Sequence, residues 1–599
     1  MCGIIGYIGN ETAFKYGYLG IIKLLNRGYD SVGITTINSN NFITHKFAGD
    51  RAVERILENA NFHTGSTAIL HSRWRTIGSK SDANSHPHHD CFEKFSLVHN
   101  GIIENYIELR EDLYYNHGYE FRSETDSEVI VNLISFYYNM DSGNNRVVNA
   151  IDKALGRIRG TYALAILCVN TPDMIYCVRS GSPLLIGMSE NDSCMMVSSE
   201  CSGFDKQIVK YVSIETNDIV TLTKCNGKIV MKSNGAQLKY YNNVETFHGS
   251  PAPFDHWTIK EIYEQTTTVR NAIANEQIIQ NCFRDEFMEC ENIIFLGCGT
   301  SYHAGLMLVP TFKSTKRFNM VQIFDGSEFT ENDIPFYGQC KTCYVFISQS
   351  GETKDLHRCL EMIKSQCAER KLNYCTIGVI NVVDSMIARE MDCVIYLNCG
   401  REVAVASTKS FTSQVIVLTL IALWFSRLNR RLSAQIPRIL NLPDDISMTI
   451  DANLQMCKNI AKMLKDKSSV FLLGRDTFYS VAREAALKMK EIGYIHAEGY
   501  NSAALKHGPY ALLTPGFPVI LFAPINRTTF DELKSRDAIV VGVIVDDDCD
   551  YDYCMKIHDG CHTEILASIL MQLVAYYLAI EKGVNPDYPR NIAKVISTD

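Results

Sequence analysis

At 599 residues the chain exceeds one ordinary domain; roughly 100–200 residues per domain implies three to five. A composition of 46% hydrophobic and 21% charged residues excludes a mostly disordered chain and leaves apolar material for sizeable cores. The net charge of −9 removes any global basic field for nucleic acid or an anionic membrane, while local phosphate sites stay open.

Along the chain, residues 1–222 are strand-rich. Short β-type runs at 4–8, 96–99 and 162–168 alternate with helical patterns at 105–114 and 125–138, an α+β pattern. Residues 223–282 read as a linker, broken at Gly249-Ser250-Pro251-Ala252-Pro253, with a helical pattern starting near Lys260. From 283 the chain alternates strand and helix. Runs at 293–296, 342–347, 374–380 and 394–397 read as buried parallel strands, and the pattern returns at 470–473, 519–522 and 539–545. The glycine turn at Gly297 has a counterpart at Gly474, 177 residues on, and the strand ending at Ile347 has one ending at Phe522, 175 on. Near-equal offsets indicate a duplicated α/β domain, occupying 283–431 and 460–589 and followed by a tail, 590–599.

The 21 cysteines are scattered, and Met1-Cys2-Gly3-Ile4-Ile5-Gly6 lacks the basic-then-apolar layout of a signal peptide. A reducing cytoplasmic setting with free thiols is expected. The longest apolar stretches, 415–425 and 565–580, fall short of the ~20 residues that span a bilayer and read as buried core helices.

Cys2 gains interest from its position. With Met1 removed, its thiol lies beside its own α-amine, whose ordinary pKa of about 8 suits a built-in base. Asn100 and the backbone N–H of Gly101 can form an oxyanion hole, and Arg73 and Asp126 match the carboxylate and ammonium of an amino acid. Each has a plainer reading: a surface ion pair for Arg73, a tight turn at Asn100-Gly101, a helix start at Asp126.

Together Cys2-Gly3-Ile4-Ile5-Gly6, Arg27-Gly28-Tyr29-Asp30-Ser31, His71-Ser72-Arg73-Trp74, Asn100-Gly101 and Asp126 resemble the class II, N-terminal-nucleophile glutamine amidotransferases over residues 2–222. The resemblance implies an αββα sandwich. It makes Cys2 the nucleophile on glutamine, Asn100 and Gly101 the oxyanion donors, Arg73 and Asp126 the grip on the substrate's α-groups, and Trp74 an ammonia gate. Where the family has Thr-His-Gly, this chain reads Thr76-Ile77-Gly78, which removes a polar group near the glutamine site.

In the duplicated region, Cys298-Gly299-Thr300-Ser301 and Ser348-Gln349-Ser350-Gly351-Glu352-Thr353 each follow a strand. Hydroxyls and backbone N–H groups at a helix start can cradle a phosphate, although Ser and Thr also cap helices ordinarily. Two such turns at successive strand ends favour a ligand crevice. Glu484, Lys488 and Glu491 share one helix face, either as an exposed ladder of charges or as a buried polar stripe with a purpose.

These segments resemble the sugar isomerase (SIS) domain, a doubly wound parallel sheet. Val403-Ala404-Val405-Ala406-Ser407-Thr408-Lys409, Leu505-Lys506-His507-Gly508-Pro509 and the tail Pro589-Arg590-Asn591-Ile592-Ala593-Lys594 extend the match. An amidotransferase followed by two SIS domains and this tail resembles the layout of the glucosamine-6-phosphate synthase family. That layout implies L-glutamine and D-fructose 6-phosphate as substrates and a homodimer with no metal and no other cofactor. It assigns the proton transfer of isomerisation to Glu491, ring opening to His507, offered across the subunit interface, and a Schiff base to Lys594. Ser348, Gln349, Ser350 and Thr353 would bind the phosphate, and Thr300, Ser301, Val405 and Lys488 the sugar. Ala504 stands where the family has an acid.

Cys340 and Cys343 lack a second ligand pair at zinc spacing, and His86-Pro87-His88-His89 belongs to the amidotransferase pattern, so neither is read as a metal site. Two other functions stay open: a sugar-phosphate deglycase or isomerase with an inactive glutaminase, and a non-catalytic sugar-phosphate sensor. Activity with ammonia but not glutamine would mark the first, and binding without turnover the second.

Overall fold

The computed structural model describes residues 2–594 except 39, 144, 234–239, 243–249, 283–284, 336–339, 384, 427–435, 523–526, 546–549 and 559–561. One unit is built from the residues up to 249, the other from 250–594. The end of the first α/β repeat near 431 and the tail beyond 594 lie outside the described residues.

The amino-terminal unit stacks two antiparallel sheets. The strand Gly3–Gly9 lies inside the eight-stranded sheet, between Thr67–Arg73 and Cys194–Ser198. It is buried at every position because both faces are covered. Its alternation divides the core: Ile4 and Ile8 face the second sheet with Val98, Ala165 and Ile175, while Ile5 and Tyr7 face Phe14 and Ile21 of the helix Ala13–Lys23. In the six-stranded sheet, Leu97 and Ile166 turn outward onto Val129 and Ile134 of the helix Asp126–Met140. Helix, sheet, sheet and helix make the αββα sandwich that the sequence implies.

The carboxy-terminal unit holds two five-stranded sheets, parallel throughout. In chain order the first sheet's strands are Asn292–Gly297, Met320–Asp325, Thr342–Ser348, Tyr374–Ile380 and Cys393–Tyr396. The second sheet's are Ser469–Gly474, His496–Asn501, Pro518–Phe522, Ile539–Ile544 and Tyr553–Lys556. In both, the second strand lies outside the first and the third lies on its other side, so the order reverses between the first and third strands. A crevice opens at the carboxyl ends of those two strands. One continuous core joins the repeats, with Phe295 and Ile416 of the first packed in the same cluster as Leu472, Met489 and Leu570 of the second.

One sequence expectation changes. The 223–282 stretch is not a separate linker: Lys228–Lys232 and Tyr240–Asn242 add edge strands to the amino-terminal sheets, while Trp257–Ile273 is a helix whose Ile259, Ile262, Val269 and Ala272 lie in the carboxy-terminal core. Strands of three to five residues give too little alternation to read by pattern. The apolar stretch near 565–580 becomes the 19-residue helix Thr563–Glu581, long and apolar enough by composition to cross a membrane, yet mostly buried as a core helix.

Phe295 is fully buried against Phe312, so Phe295→Ala should cost about 3–5 kcal/mol. Denaturant unfolding followed in the carboxy-terminal unit measures this; a loss below about 1 kcal/mol would contradict the packing described.

Candidate active sites

Cys2 stands at the entrance to the strand Gly3–Gly9. The Trp74 N–H donates to Cys2 Sγ at 3.1 Å, and the thiol donates to the Trp74 carbonyl at 3.4 Å. The Asn100 Nδ2 donates to the Cys2 carbonyl at 2.8 Å and Arg27 Nε does so at 3.3 Å, with Arg27 paired to Glu200 at 3.0 Å. Burial raises the thiol above its ordinary pKa; the chain-terminal ammonium, the Trp74 N–H and the Arg73 and Arg27 guanidiniums oppose it. Trp74 also meets the Tyr29 ring edge-on.

Gly101 follows Asn100 with φ +138°, and a Cβ there would lie 2.0 Å from the Thr161 carbonyl oxygen, so only glycine fits. Arg73 is buried and donates to the carbonyls of Ile77 and Ser79. The loop that carries the Ile77 departure thus still binds Arg73, through its backbone. Asp126 begins its helix, and its carboxylate accepts from the Ile103 N–H at 2.9 Å, on the strand that carries Asn100. The helix-start reading describes this residue, and its carboxylate also ties the helix to the strand that carries Asn100.

In the first α/β repeat the two predicted turns sit at the carboxyl ends of the first and third strands, on either side of the order reversal. Ser348 Oγ accepts from the Gly351 N–H at 2.9 Å and lies 3.3 Å from Thr353 Oγ1; Ser350 Oγ accepts from Glu352 N–H at 3.1 Å. Gly351 has φ +64°, and a Cβ would meet Ser385 Oγ at 1.9 Å, so the turn is closed to side chains. The helix Lys354–Arg370 starts directly after Thr353, placing hydroxyls and first-turn N–H groups at one helix end. Gln349 supplies its carbonyl to the Val382 N–H.

The stripe on helix Thr477–Glu491 is buried, not an exposed ladder. Lys488 is about 1% exposed, 3.4 Å from Glu484 Oε1 and 2.5 Å from Glu491 Oε2, and donates to Thr300 Oγ1 at 3.1 Å. Glu484 accepts from Thr300 Oγ1 at 3.1 Å and contacts His303 Nδ1 at 2.7 Å. Burial disfavours the Lys488 charge, but the two carboxylates hold its pKa above the usual lysine value. Ser301 Oγ accepts from Gln414 Nε2 at 2.9 Å.

The tail lysine is buried as well. Lys594 Nζ pairs with Glu402 and lies 3.2 Å from Ser407 Oγ. Glu402 also accepts from the N–H groups of Thr408 and Ser410, at 2.9 and 3.0 Å, where the helix Lys409–Phe425 begins. Burial would raise the Glu402 carboxyl, but Lys594 and those N–H groups bring it down to about 2. Beside it burial raises Glu261 to about 8, although its carboxylate accepts from the Val403 N–H at 2.5 Å. Val405 donates its N–H to the Asp587 carbonyl at 3.1 Å, which ties its loop to the chain just before the tail.

Cys2, Arg73, Trp74, Asn100, Gly101 and Asp126 come together in one unit, and Thr300 and Ser301 come together with Lys488 and Glu491 in the other. His507 does not join them. It is exposed at the end of the turn Ser502–His507, and its side chain makes no hydrogen bond or ion pair among the described residues. Its turn is anchored by buried Leu505 and by Lys506, paired to Glu532 at 2.6 Å. Glu402, Glu261, His71 and Arg27 were missed as site residues. Arg27 and His71 lie within the segments that resemble the amidotransferases, and the two glutamates have no local signal.

A glutamine amidotransferase domain model matches residues 71–206, and SIS domain models match 286–424 and 463–582. The class is thus an amidotransferase joined to a pair of SIS domains. The chain is 38% identical to a protein of Acanthamoeba polyphaga mimivirus named a probable glutamine–fructose-6-phosphate aminotransferase (isomerizing), covering all of both chains. It is 34% identical to the aminotransferase of that name from Thermococcus kodakarensis, again over both full lengths. Among solved structures, the carboxy-terminal domain of a glucosamine-fructose-6-phosphate aminotransferase from Francisella tularensis matches with TM-score 0.51 and 28% identity, over 57% of this chain and 100% of that one. The chain belongs to the family of isomerizing glutamine–fructose-6-phosphate aminotransferases.

Two outcomes follow from the buried charges. Lys488→Met removes the cation shared by Glu484 and Glu491, leaving Glu484 with Thr300 and His303 and Glu491 without its ion-pair partner, and should cost about 3–5 kcal/mol by denaturant unfolding; an unchanged midpoint would contradict the pairing. Glu261 has a folded pKa raised above its ordinary 4.5, so its contribution to stability is complete below about 4.5 and is lost as pH rises through about 8. Glu261→Gln should flatten the decline of stability over that window, and an unaltered pH profile would contradict it.

Proposed function

We propose that the chain transfers the amide nitrogen of L-glutamine to D-fructose 6-phosphate and isomerises the product, giving D-glucosamine 6-phosphate and L-glutamate. The observation that carries this is the end-to-end match to the isomerizing aminotransferases in a chain that keeps built surroundings for both Cys2 and Lys594.

In the first half-reaction the Cys2 sulfur attacks the glutamine amide carbon. While Met1 is attached the Cys2 nitrogen is an amide, so its base function requires removal of Met1. The freed amine takes the thiol proton and passes it to the leaving ammonia. Asn100 Nδ2 and the Gly101 N–H receive the oxyanion, Arg73 and Asp126 hold the substrate's α-groups, and water then releases glutamate from the thioester. Ammonia passes internally to the second half-reaction, with Trp74 as its gate.

There Ser348, Gln349, Ser350 and Thr353 hold the phosphate, and Thr300, Ser301, Val405 and Lys488 line the sugar. His507 opens the ring, the Lys594 amine forms a Schiff base at C2 with loss of water, ammonia displaces the lysine to leave the sugar imine and the free Lys594 amine, and Glu491 moves the proton from C1 to C2. The exposure of His507 supports its delivery to the site of a partner copy, and hence a homodimer. A cytoplasmic setting fits the thiol-rich composition.

Purified protein given fructose 6-phosphate and glutamine should form glucosamine 6-phosphate. Cys2→Ala should abolish that product with glutamine while keeping synthesis from ammonia. Absence of product from protein verified to lack Met1 would overturn the reading. Product with ammonia but none with glutamine in the wild type would move it to an enzyme with an inactive glutaminase.

A further inference from the structure

His71 lies beneath the Asn100 amide, buried on the strand Thr67–Arg73, two residues before Arg73 and therefore on the same face. Its Nε2 is 3.0 Å from the His99 carbonyl oxygen and 3.1 Å from Asn100 Oδ1. Both neighbours are acceptors, so this nitrogen carries the hydrogen and donates to both. Nδ1 is buried with no partner among the described residues, and burial holds the imidazole pKa down to about 3, so the ring stays neutral. His86 stacks on it, ring centres 4.1 Å apart and planes within 13°, which fixes the ring's tilt.

An asparagine amide presents nearly the same shape when turned by half a rotation, but the turn exchanges donor and acceptor. With Oδ1 held by the imidazole, Nδ2 faces Cys2, where it donates to the Cys2 carbonyl at 2.8 Å. Turned over, the amide would set N–H against N–H at His71 and a lone pair toward the oxygen that gains charge on attack. We propose that His71 is a positioning residue that locks the Asn100 amide with its donor toward Cys2, as an oxyanion hole requires. This rests on the reading of Asn100 as an oxyanion donor.

The experiment uses full-length protein and compares glutamine hydrolysis with ammonia-dependent synthesis. His71→Phe keeps the ring stack and removes the donor. His71→Gln places an N–H near the imidazole Nε2. Loss of one oxyanion donor costs about 10²–10³ in kcat, so a misoriented one should cost ~10–100-fold. In His71→Phe, kcat for glutamine hydrolysis should fall by that factor, with KM for glutamine changed less than about threefold and ammonia-dependent synthesis within about twofold. His71→Gln should recover kcat to within a few-fold. Near-ultraviolet circular dichroism checks the fold of the amino-terminal unit, and His71→Met replaces the Phe variant if that one does not fold. Unchanged kcat in a folded donor-less variant overturns the inference, as does equal loss of kcat and affinity in the Phe and Gln variants. Asn100→Ala separates the two claims: full kcat there would remove the oxyanion reading itself, whereas loss there with none in His71→Phe removes only the role of His71.

Discussion

Lys488 carries a charge into the interior of the carboxy-terminal unit, and the two SIS repeats have to meet around it. A lone buried ammonium costs several kcal/mol, which only close carboxylates and further hydrogen bonds offset. Its own helix supplies Glu484 and Glu491, and the first repeat supplies the Thr300 hydroxyl to Lys488 and His303 to Glu484. Neither repeat completes this set alone. The same residues adjoin the crevice where the strand order reverses, so the interaction that joins the repeats also fixes a wall of that crevice.

The same constraint operates elsewhere. Arg27 is buried against Glu200 while donating to the Cys2 carbonyl, and Lys594 is buried against Glu402 where a helix begins. Apolar packing alone would serve stability as well or better at such places. What the charges add is direction. Glu402 holds the tail amine beside Ser407, and Arg27 and Asn100 hold the backbone from which the thiol projects.

Much of this was legible in the sequence where chemistry and chain order coincide. The strand–turn–helix pieces at Gly297 and Ser348 were readable because alternation and Ser/Thr clustering are local signals, and Cys2, Asn100 and Asp126 because their order matches a family. Glu402 was not legible, because a single glutamate in Arg401-Glu402-Val403 reads as surface and its partner Lys594 lies 192 residues away. Glu261 was hidden for the same reason, inside a stretch read as linker. His71 stood in a quoted motif, but its link to Asn100 arises only when the strands Thr67–Arg73 and Phe95–Ile103 come together from different sheets. Local patterns show which residues are present; the pairing of buried polar groups is a property of the fold.

Coupling of glutamine hydrolysis to sugar amination within one chain is tested most directly with glutamine labelled with ¹⁵N in its amide. The reaction is run with fructose 6-phosphate and a comparable concentration of unlabelled ammonium, and the glucosamine 6-phosphate is examined by mass spectrometry. The expected result is a product carrying predominantly ¹⁵N, because ammonia freed at Cys2 is used before it mixes with the solution. A product labelled only as far as the bulk ammonium pool would contradict coupled transfer, and an unlabelled product would contradict the role of Cys2 as well.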